Sequence, residues 1–212
     1  MRDRIDPLTE YAEALSGPVP DYLEYVERQT HLKTLAPQMM SGRLQGRLLA
    51  MLSKLKQPRR ILEIGTFTGY ATLCLAEGLA PGGRIDTIEG DPEIALLARR
   101  HFAHSPFADR ITLHQGQARH LLPTLPGSFD LVFLDGDKRG YPAYLSALVD
   151  RLSPGGLLLA DNVLWDGKAG RSTPDRTARK LREYNEMVVS DPRLESVTLP
   201  IRDGLSVSRH IG

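Results

Sequence analysis

The chain contains one cysteine, Cys74, one tryptophan, Trp165, and a formal net charge of only +1. A single cysteine excludes an internal disulfide and any cluster built on several thiolates. Its setting, YATLCLAEGL, reads as that of a small buried hydrophobe. Near-neutral charge gives no electrostatic footprint for nucleic acid, although RQTHLK and HFAHSPFADR form local basic patches. No apolar run approaches the roughly 18 residues of a membrane span. The opening segment, MRDRIDPLTEYAEAL, is mixed in charge and lacks an apolar secretory core, so a cytoplasmic protein is expected. The six histidines show no zinc-ligand spacing; His101 and His104 are three apart but have no matching third ligand. Internal repeats and low-complexity tracts are absent. So is the phosphate-binding G-x-G-x-x-G fingerprint, which counts against an NAD-dependent oxidoreductase.

What is present is a 212-residue chain with enough apolar residues for one full core. The expectation is a single domain over 1–212, with 1–55 as an N-terminal helical cap. Three helices are expected there, about 7–15, 19–35 and 42–55, the last carrying Leu44, Leu48, Leu52 and Leu55 along one face. From residue 59 onward, strands and helices alternate. RRILEI, RIDTIE, RITLHQG, FDLVFLD and GLLLADN are apolar strands. Between them fall a helix over Tyr70–Leu79, one opened by Asp91-Pro92, and one carrying Tyr144, Leu145, Leu148 and Leu152. Nearly continuous apolar strands separated by helices predict a parallel sheet covered on both faces. Thr173-Pro174 then opens a helix with Ala178, Leu181, Tyr184 and Val188 inward, and LESVTLP and GLSVSRHI form a terminal hairpin. The fold class is therefore α/β: a Rossmann-like, mostly parallel sheet with an antiparallel C-terminal hairpin.

In such a sheet, ligands bind beyond the carboxyl ends of the strands. The first end reads ILEIGTFTGYAT. Gly65 and Gly69 let the chain turn closely around a ligand, and the Glu63 carboxylate suits a cationic amino acid moiety better than a pyrophosphate. Glu89 ends the second strand, where a carboxylate can accept both hydroxyls of a ribose. At the third end, Gly116-Gln117-Ala118 can meet the edge of an adenine. Together these ends describe an adenosyl cofactor that carries an amino acid and no phosphate.

ILEIGTFTGYATLCLA, IDTIEGDPE, LVFLDGDK, LLLADNVLWDGK and LPIRDGLSVSRHI resemble the cation-dependent O-methyltransferases, a family that includes the catechol and caffeoyl-coenzyme A enzymes. The resemblance runs from about Ser41 to the end and implies a seven-stranded class I S-adenosylmethionine methyltransferase, with a homodimer as its assembly. It places Met40 and Ser41 beside the cofactor, Glu63 at its amino group, and Gly65 and Thr66 under the methionyl part. Glu89 takes the ribose, Ala118 lies near adenine, and Asp135 touches both cofactor and metal. Many relatives read GYS where this chain has Tyr70-Ala71. The missing hydroxyl for the methionine carboxylate passes to the Ala71 amide or to the hydroxyls of Thr68 and Thr72.

Two more strand ends are acidic: Asp135-Gly136-Asp137-Lys138 and Asp161-Asn162. Asp135, Asp161 and Asn162 offer two carboxylates and an amide oxygen, a donor set for Mg²⁺, with Mn²⁺ or Ca²⁺ as other hard cations. Lys138, three residues past Asp135, is expected to reach the acceptor hydroxyl oxygen that such a cation would activate, and the resemblance makes it the general base. Asp137 is expected near the substrate or behind the ligands. Trp165, Tyr70 and Tyr141 are candidates for the wall of an aromatic pocket, and the glycine-bearing loop 166–172 for a lid. The expected reaction is methylation of a hydroxyl on a catechol-like small molecule, caffeoyl-coenzyme A among them. Two further readings are a transfer RNA hydroxyuridine O-methyltransferase, weakened by the low charge, and a non-enzymatic adenosyl-binding protein.

Overall fold

The computed structural model describes residues 7–212. Three helices come first: α1 (Pro7–Ala14), α2 (Asp21–Lys33) and α3 (Gly42–Lys56). Then follow β1 (Arg60–Ile64), α4 (Tyr70–Ala76), β2 (Arg84–Glu89), α5 (Pro92–Ala103), β3 (Ile111–Gln115) and the single-turn α6 (Ala118–Leu121). The second half holds β4 (Phe129–Leu134), α7 (Tyr141–Leu148), β5 (Leu152–Ala160), α8 (Arg176–Ser190), β6 (Leu194–Leu199) and β7 (Leu205–His210). One seven-stranded sheet runs β3-β2-β1-β4-β5-β7-β6. The first five strands are parallel, and β7 joins β5 and β6 antiparallel.

Alternation along the strands divides the core into two layers. Ile61, Leu131, Phe133 and Leu159 face the layer of α2, α3, α4 and α5, while Leu62, Ile64, Val132 and Leu134 face that of α7 and α8. The α5 cap forms as its sequence requires: Asp91 Oδ1 accepts from the Glu93 and Ile94 amides at 2.8 and 3.2 Å, with Pro92 at the first helical position. In α8, Asp175 is the cap, and Ala178, Leu181, Tyr184 and Val188 are the buried stripe. Cys74 is fully buried, and that burial pushes its thiol up to about 12.

Four expectations are corrected. The inward face of α3 is Gln45, Gly46, Leu49, Ala50 and Ser53, whereas Leu44, Leu48 and Leu52 are half-buried and Leu55 is exposed. Close approach to α4 decides this: a Cβ on Gly46 would lie 2.6 Å from the Tyr70 ring. The same crowding ends α4 at Ala76 instead of Leu79, because the Gly78 backbone lies against α3, where a Cβ would come within 2.1 Å of the Ser53 carbonyl carbon. Leu152 is not on α7; it starts β5, after a tight turn over Val149–Arg151. β5 thus begins four residues before Gly156, with a register shift opposite Phe129–Leu131 where Ser153-Pro154-Gly155-Gly156 bulges. Finally, α2 and α3 pack chiefly on α4 instead of capping the open side of the site, which α3 touches through Gln45. The piece that borders the open end is the connector at 33–39.

Candidate functional site

The carboxyl ends of β1 to β5 open into one cavity of about 890 Å³. Backbone bonds carry the ladder past each strand and fix these ends. Gly65 N–H donates to Ile88 O at 3.0 Å, Asp135 N–H to Ile64 O at 2.8 Å and Asp161 N–H to Leu134 O at 2.9 Å. The cavity wall includes Gly65, Phe67, Glu89, Gln117 and Ala118 on one side of the β1–β4 junction. Asp135, Lys138, Asp161, Asn162 and Trp165 stand on the other. Strand order reverses at that junction, where open α/β sheets place their ligands.

Gly65 has φ +100, and a Cβ there would lie 2.6 Å from the Asp135 carbonyl, so only glycine lets the two strand ends approach this closely. Glu89 accepts the Phe67 amide at 2.8 Å and the Asp91 amide at 2.9 Å. A carboxylate has about four acceptor positions, so capacity for further donors remains. Burial raises the Glu89 pKa despite those amides.

Glu63 is wholly buried on β1. Its Oε2 accepts from Thr87 Oγ1 at 2.5 Å and from Thr72 Oγ1, while Oε1 has no partner. Burial lifts its pKa to about 8, with the charges of Asp135 and Glu89 pushing the same way. Met40, Ser41, Glu63, Thr66 and Ala71 are all buried and do not form the cavity wall. Neither threonine put forward for the missing serine is free. Thr72 is bonded to Glu63, and Thr68 Oγ1 lies 2.8 Å from Thr30 Oγ1 on α2. The Thr68 carbonyl also accepts from His101 Nδ1 at 2.8 Å, so α2 and α5 both brace the glycine loop.

At the acidic tips, Lys138 Nζ is 2.5 Å from Asp135 Oδ1. Burial raises the Asp135 pKa to about 6, with Lys138 lowering it and the Asp161 charge raising it further. Adjacent side chains of a strand point to opposite faces, yet Asp161 and Asn162 both line the cavity. Asn162 achieves this with φ +60, a left-handed turn that asparagine tolerates. Asp161 Oδ1 accepts the Asn162 amide at 2.8 Å. Asp137 caps the turn Lys138–Gly140 through the Arg139 amide and lines the cavity as well.

Three residues reach this cluster in roles the sequence does not signal, Tyr141 having been expected only in an aromatic wall. Gln45 Nε2 donates to Asp161 Oδ2 at 2.8 Å. Tyr141 Oη donates to Leu134 O at 2.8 Å and lies 3.0 Å from Asp161 O. Arg202 Nη1 stands 3.8 Å from Asp161 Oδ2. Tyr141 and Tyr70 are buried in the core, so of the three aromatic candidates only Trp165 faces the cavity. The expected lid is pinned to its neighbours: Arg182 Nε donates to Ala169 O at 2.7 Å, Arg182 Nη2 bonds Arg171 O, and Asp203 accepts the Asp166 amide.

A doubly wound sheet with this strand order, its antiparallel β5-β7-β6 end and a site at the reversal has the class I methyltransferase architecture. A solved O-methyltransferase from Streptomyces achromogenes, involved in tomaymycin synthesis and in complex with S-adenosylmethionine, superposes with a TM-score of 0.89 at 30% identity. That alignment covers 98% of this chain and 97% of that one. A Podospora anserina methyltransferase bound to S-adenosylhomocysteine superposes at 0.87 with 32% identity, covering 96% and 93%. Catechol O-methyltransferase of Mycobacterium tuberculosis is 35% identical over 164 residues, 77% of this chain and 74% of that protein. Caffeoyl-CoA O-methyltransferase 1 of Eucalyptus globulus is 34% identical over 180 residues, 79% and 73%. Residues 13–211 match the O-methyltransferase family, and the chain belongs to it, within the catechol and caffeoyl-CoA O-methyltransferase-like group that depends on S-adenosylmethionine.

Proposed function

We propose that this O-methyltransferase acts on a catechol-like small molecule and that Asp135, Asp161 and Asn162 hold a Mg²⁺ ion for the purpose. The observation that carries the reading is the shared cavity: a carboxylate suited to a ribose, Glu89, and a paired acid-and-lysine cluster line the same space. The donors fit a hard cation, since all three side chains offer oxygen and two are anionic. Asp135 and Asp161 also repel each other, which marks a place where added positive charge is favourable. Mn²⁺ or Ca²⁺ suits the same donors. A divalent ion bound there lowers the pKa of an acceptor hydroxyl and fixes its direction.

The chain's own groups do the rest. Glu89 accepts the ribose hydroxyls, and Gln117 and Ala118 border the adenine. Gly65 lines the cavity under the methionyl part, and Thr66, Met40 and Ser41 are packed behind that surface, where a small shift of the loop would bring them to the cofactor. The partnerless Oε1 of Glu63 accepts the ammonium, directly or through water. With Thr68 and Thr72 engaged elsewhere, the Ala71 amide remains for the methionine carboxylate. Transfer forms one O–C bond, breaks one S–C bond and releases one proton, which Lys138 Nζ takes after its own ammonium proton has left to solvent. Trp165 borders the acceptor ring. Holding oxygen, carbon and sulfur in line supplies much of the rate.

The test is methyl transfer to a dihydroxyphenyl compound by protein stripped of metal, with the metal content verified. Turnover is expected to vanish and to return with Mg²⁺. Asp161→Asn is expected to remove it while the melting curve keeps its shape. Full turnover in stripped protein overturns the metal assignment, and failure on every vicinal diol overturns the acceptor assignment.

A further inference from the structure

The turn between β6 and β7 borders the acceptor side of the cavity in an unusual form. Arg202 has φ +51. A side chain in that region costs about 1 kcal/mol or more, and glycine avoids the cost. The turn is nevertheless rigidly held. Gly204 N–H donates to Ile201 O at 2.9 Å, Val163 N–H to Gly204 O at 3.1 Å and Leu164 N–H to Asp203 O at 3.0 Å. A Cβ on Gly204 would come within 2.4 Å of the Leu164 side chain. The strained position is therefore fixed against the segment that carries Asn162 and Trp165.

What that strain positions is a guanidinium in the cavity wall. Its Nη2 donates to Gln38 O at 3.1 Å, and its Nη1 is 3.8 Å from Asp161 Oδ2, beyond hydrogen-bond reach. Lys138, by contrast, is paired with Asp135 at 2.5 Å. Arginine carries five N–H donors and no acceptor, so its unused donors can only meet acceptor atoms, and a carboxylate matches their planar fork best. The diol oxygens of an acceptor would lie at the Asp135 and Asp161 tips. The guanidinium stands beside the Asp161 tip, is tied to the connector at 33–39 through Gln38, and so borders the space an acceptor ring would occupy.

We infer that Arg202 recognises a carboxylate on the methyl acceptor, so that the preferred substrates are aromatic acids bearing a vicinal diol. The inference rests on the catechol-type reading of the site. Its rival is a purely structural role, in which Arg202 straps the β6–β7 turn to the connector through Gln38.

The two are separated by comparing a dihydroxybenzoate with its neutral amide, in wild-type protein, Arg202→Gly and Arg202→Lys. Glycine accepts the backbone conformation, so the first variant removes the side chain without adding strain. Wild-type protein is expected to favour the acid in kcat/KM by about tenfold to a hundredfold, the worth of a charge-assisted hydrogen-bonded pair. In Arg202→Gly the acid-to-amide ratio is expected to fall toward one, and Arg202→Lys to keep part of it. Calorimetric binding of both compounds to the S-adenosylhomocysteine complex should show the same pattern. A ratio unchanged by Arg202→Gly, or no preference in the wild type, overturns the inference. If no diol is methylated at all, calorimetry decides it: acid binding that depends on Arg202 sustains the contact and faults only the catechol reading. Equal or absent binding overturns the contact itself.

Discussion

Gln45 Nε2 lies 2.8 Å from Asp161 Oδ2, with both side chains buried. The bond ties α3, on one face of the sheet, to an acid at the tip of β5. With the Asn162 amide on Oδ1, it leaves each Asp161 oxygen with one engaged and one open acceptor position. Gln45→Leu removes the donor and leaves the carboxylate in the same enclosure. A hydrogen bond to a charged group contributes about 1.5–3 kcal/mol, so the variant is expected to lose stability of that order in urea denaturation. Methyl transfer should fall with it, while S-adenosylmethionine affinity measured by calorimetry should hold.

Glu63 sets a dependence on pH. Its folded pKa is raised by burial from an ordinary 4.5 to about 8. Below 4.5 both folded and unfolded chains are protonated there, and the group costs nothing. As pH rises toward 8 the unfolded chain ionises first, so stability from the neutral carboxyl is lost across that window and levels off above it. Glu63→Gln is expected to flatten this part of a stability-versus-pH curve. The charges of Asp135 and Glu89 act on the same carboxyl, and the Thr72 and Thr87 hydroxyls hold it. An ammonium bound to ionised Glu63 would displace its proton. Calorimetry near neutral pH, in buffers of different ionisation enthalpy, should therefore register proton release on S-adenosylmethionine binding in the wild type and much less in Glu63→Gln.

Gly65 permits no side chain. Gly65→Ala combines a φ of +100 with a Cβ 2.6 Å from the Asp135 carbonyl. A loss of roughly 2–4 kcal/mol in equilibrium unfolding is expected, from backbone strain and steric overlap together. Because the displaced atoms belong to Asp135, any folded Gly65→Ala protein should also lose turnover.

Tyr141 holds the tips of β4 and β5 together from beneath. Tyr141→Phe keeps the ring against Tyr184, whose centroid is 5.3 Å away, and deletes only the hydroxyl. The Leu134 carbonyl keeps the Asp161 N–H, so the loss in chemical denaturation is expected to be that of an ordinary hydrogen bond, about 0.5–1.5 kcal/mol. If Tyr141 contributed to an acceptor pocket, KM would move as well; its burial says it should not.

Much of the fold was legible because the strands are apolar runs bounded by glycine and proline, and because the α5 cap is a local signal. The inward face of α3 was not. Leucine periodicity picks out the largest apolar side chains, but contact with α4 selected small ones, Gly46, Ala50 and Ser53, so that Tyr70 and Gly78 could come close. The acidic tips could be read because each lies within one short segment and the sheet rule says where strands end. Gln45 and Arg202 could not, since they reach Asp161 from positions far away in sequence and from opposite ends of the chain. Nothing in their local sequence encodes that meeting.

The reversal of strand order at the β1–β4 junction divides the site along the polypeptide as well as in space. Gly65, Glu89 and Ala118, proposed for the methyl donor, precede β4; Asp135, Lys138, Asp161, Trp165 and Arg202 follow β1's partner strand in the second half. On the proposed roles, most donor contacts and most acceptor contacts therefore come from successive stretches of the chain, joined by Asp135 and by the upstream residues Gln38 and Gln45. A change of acceptor can therefore be sought first in the downstream stretch, with Gln38 and Gln45 kept, since they hold Arg202 and Asp161 in place.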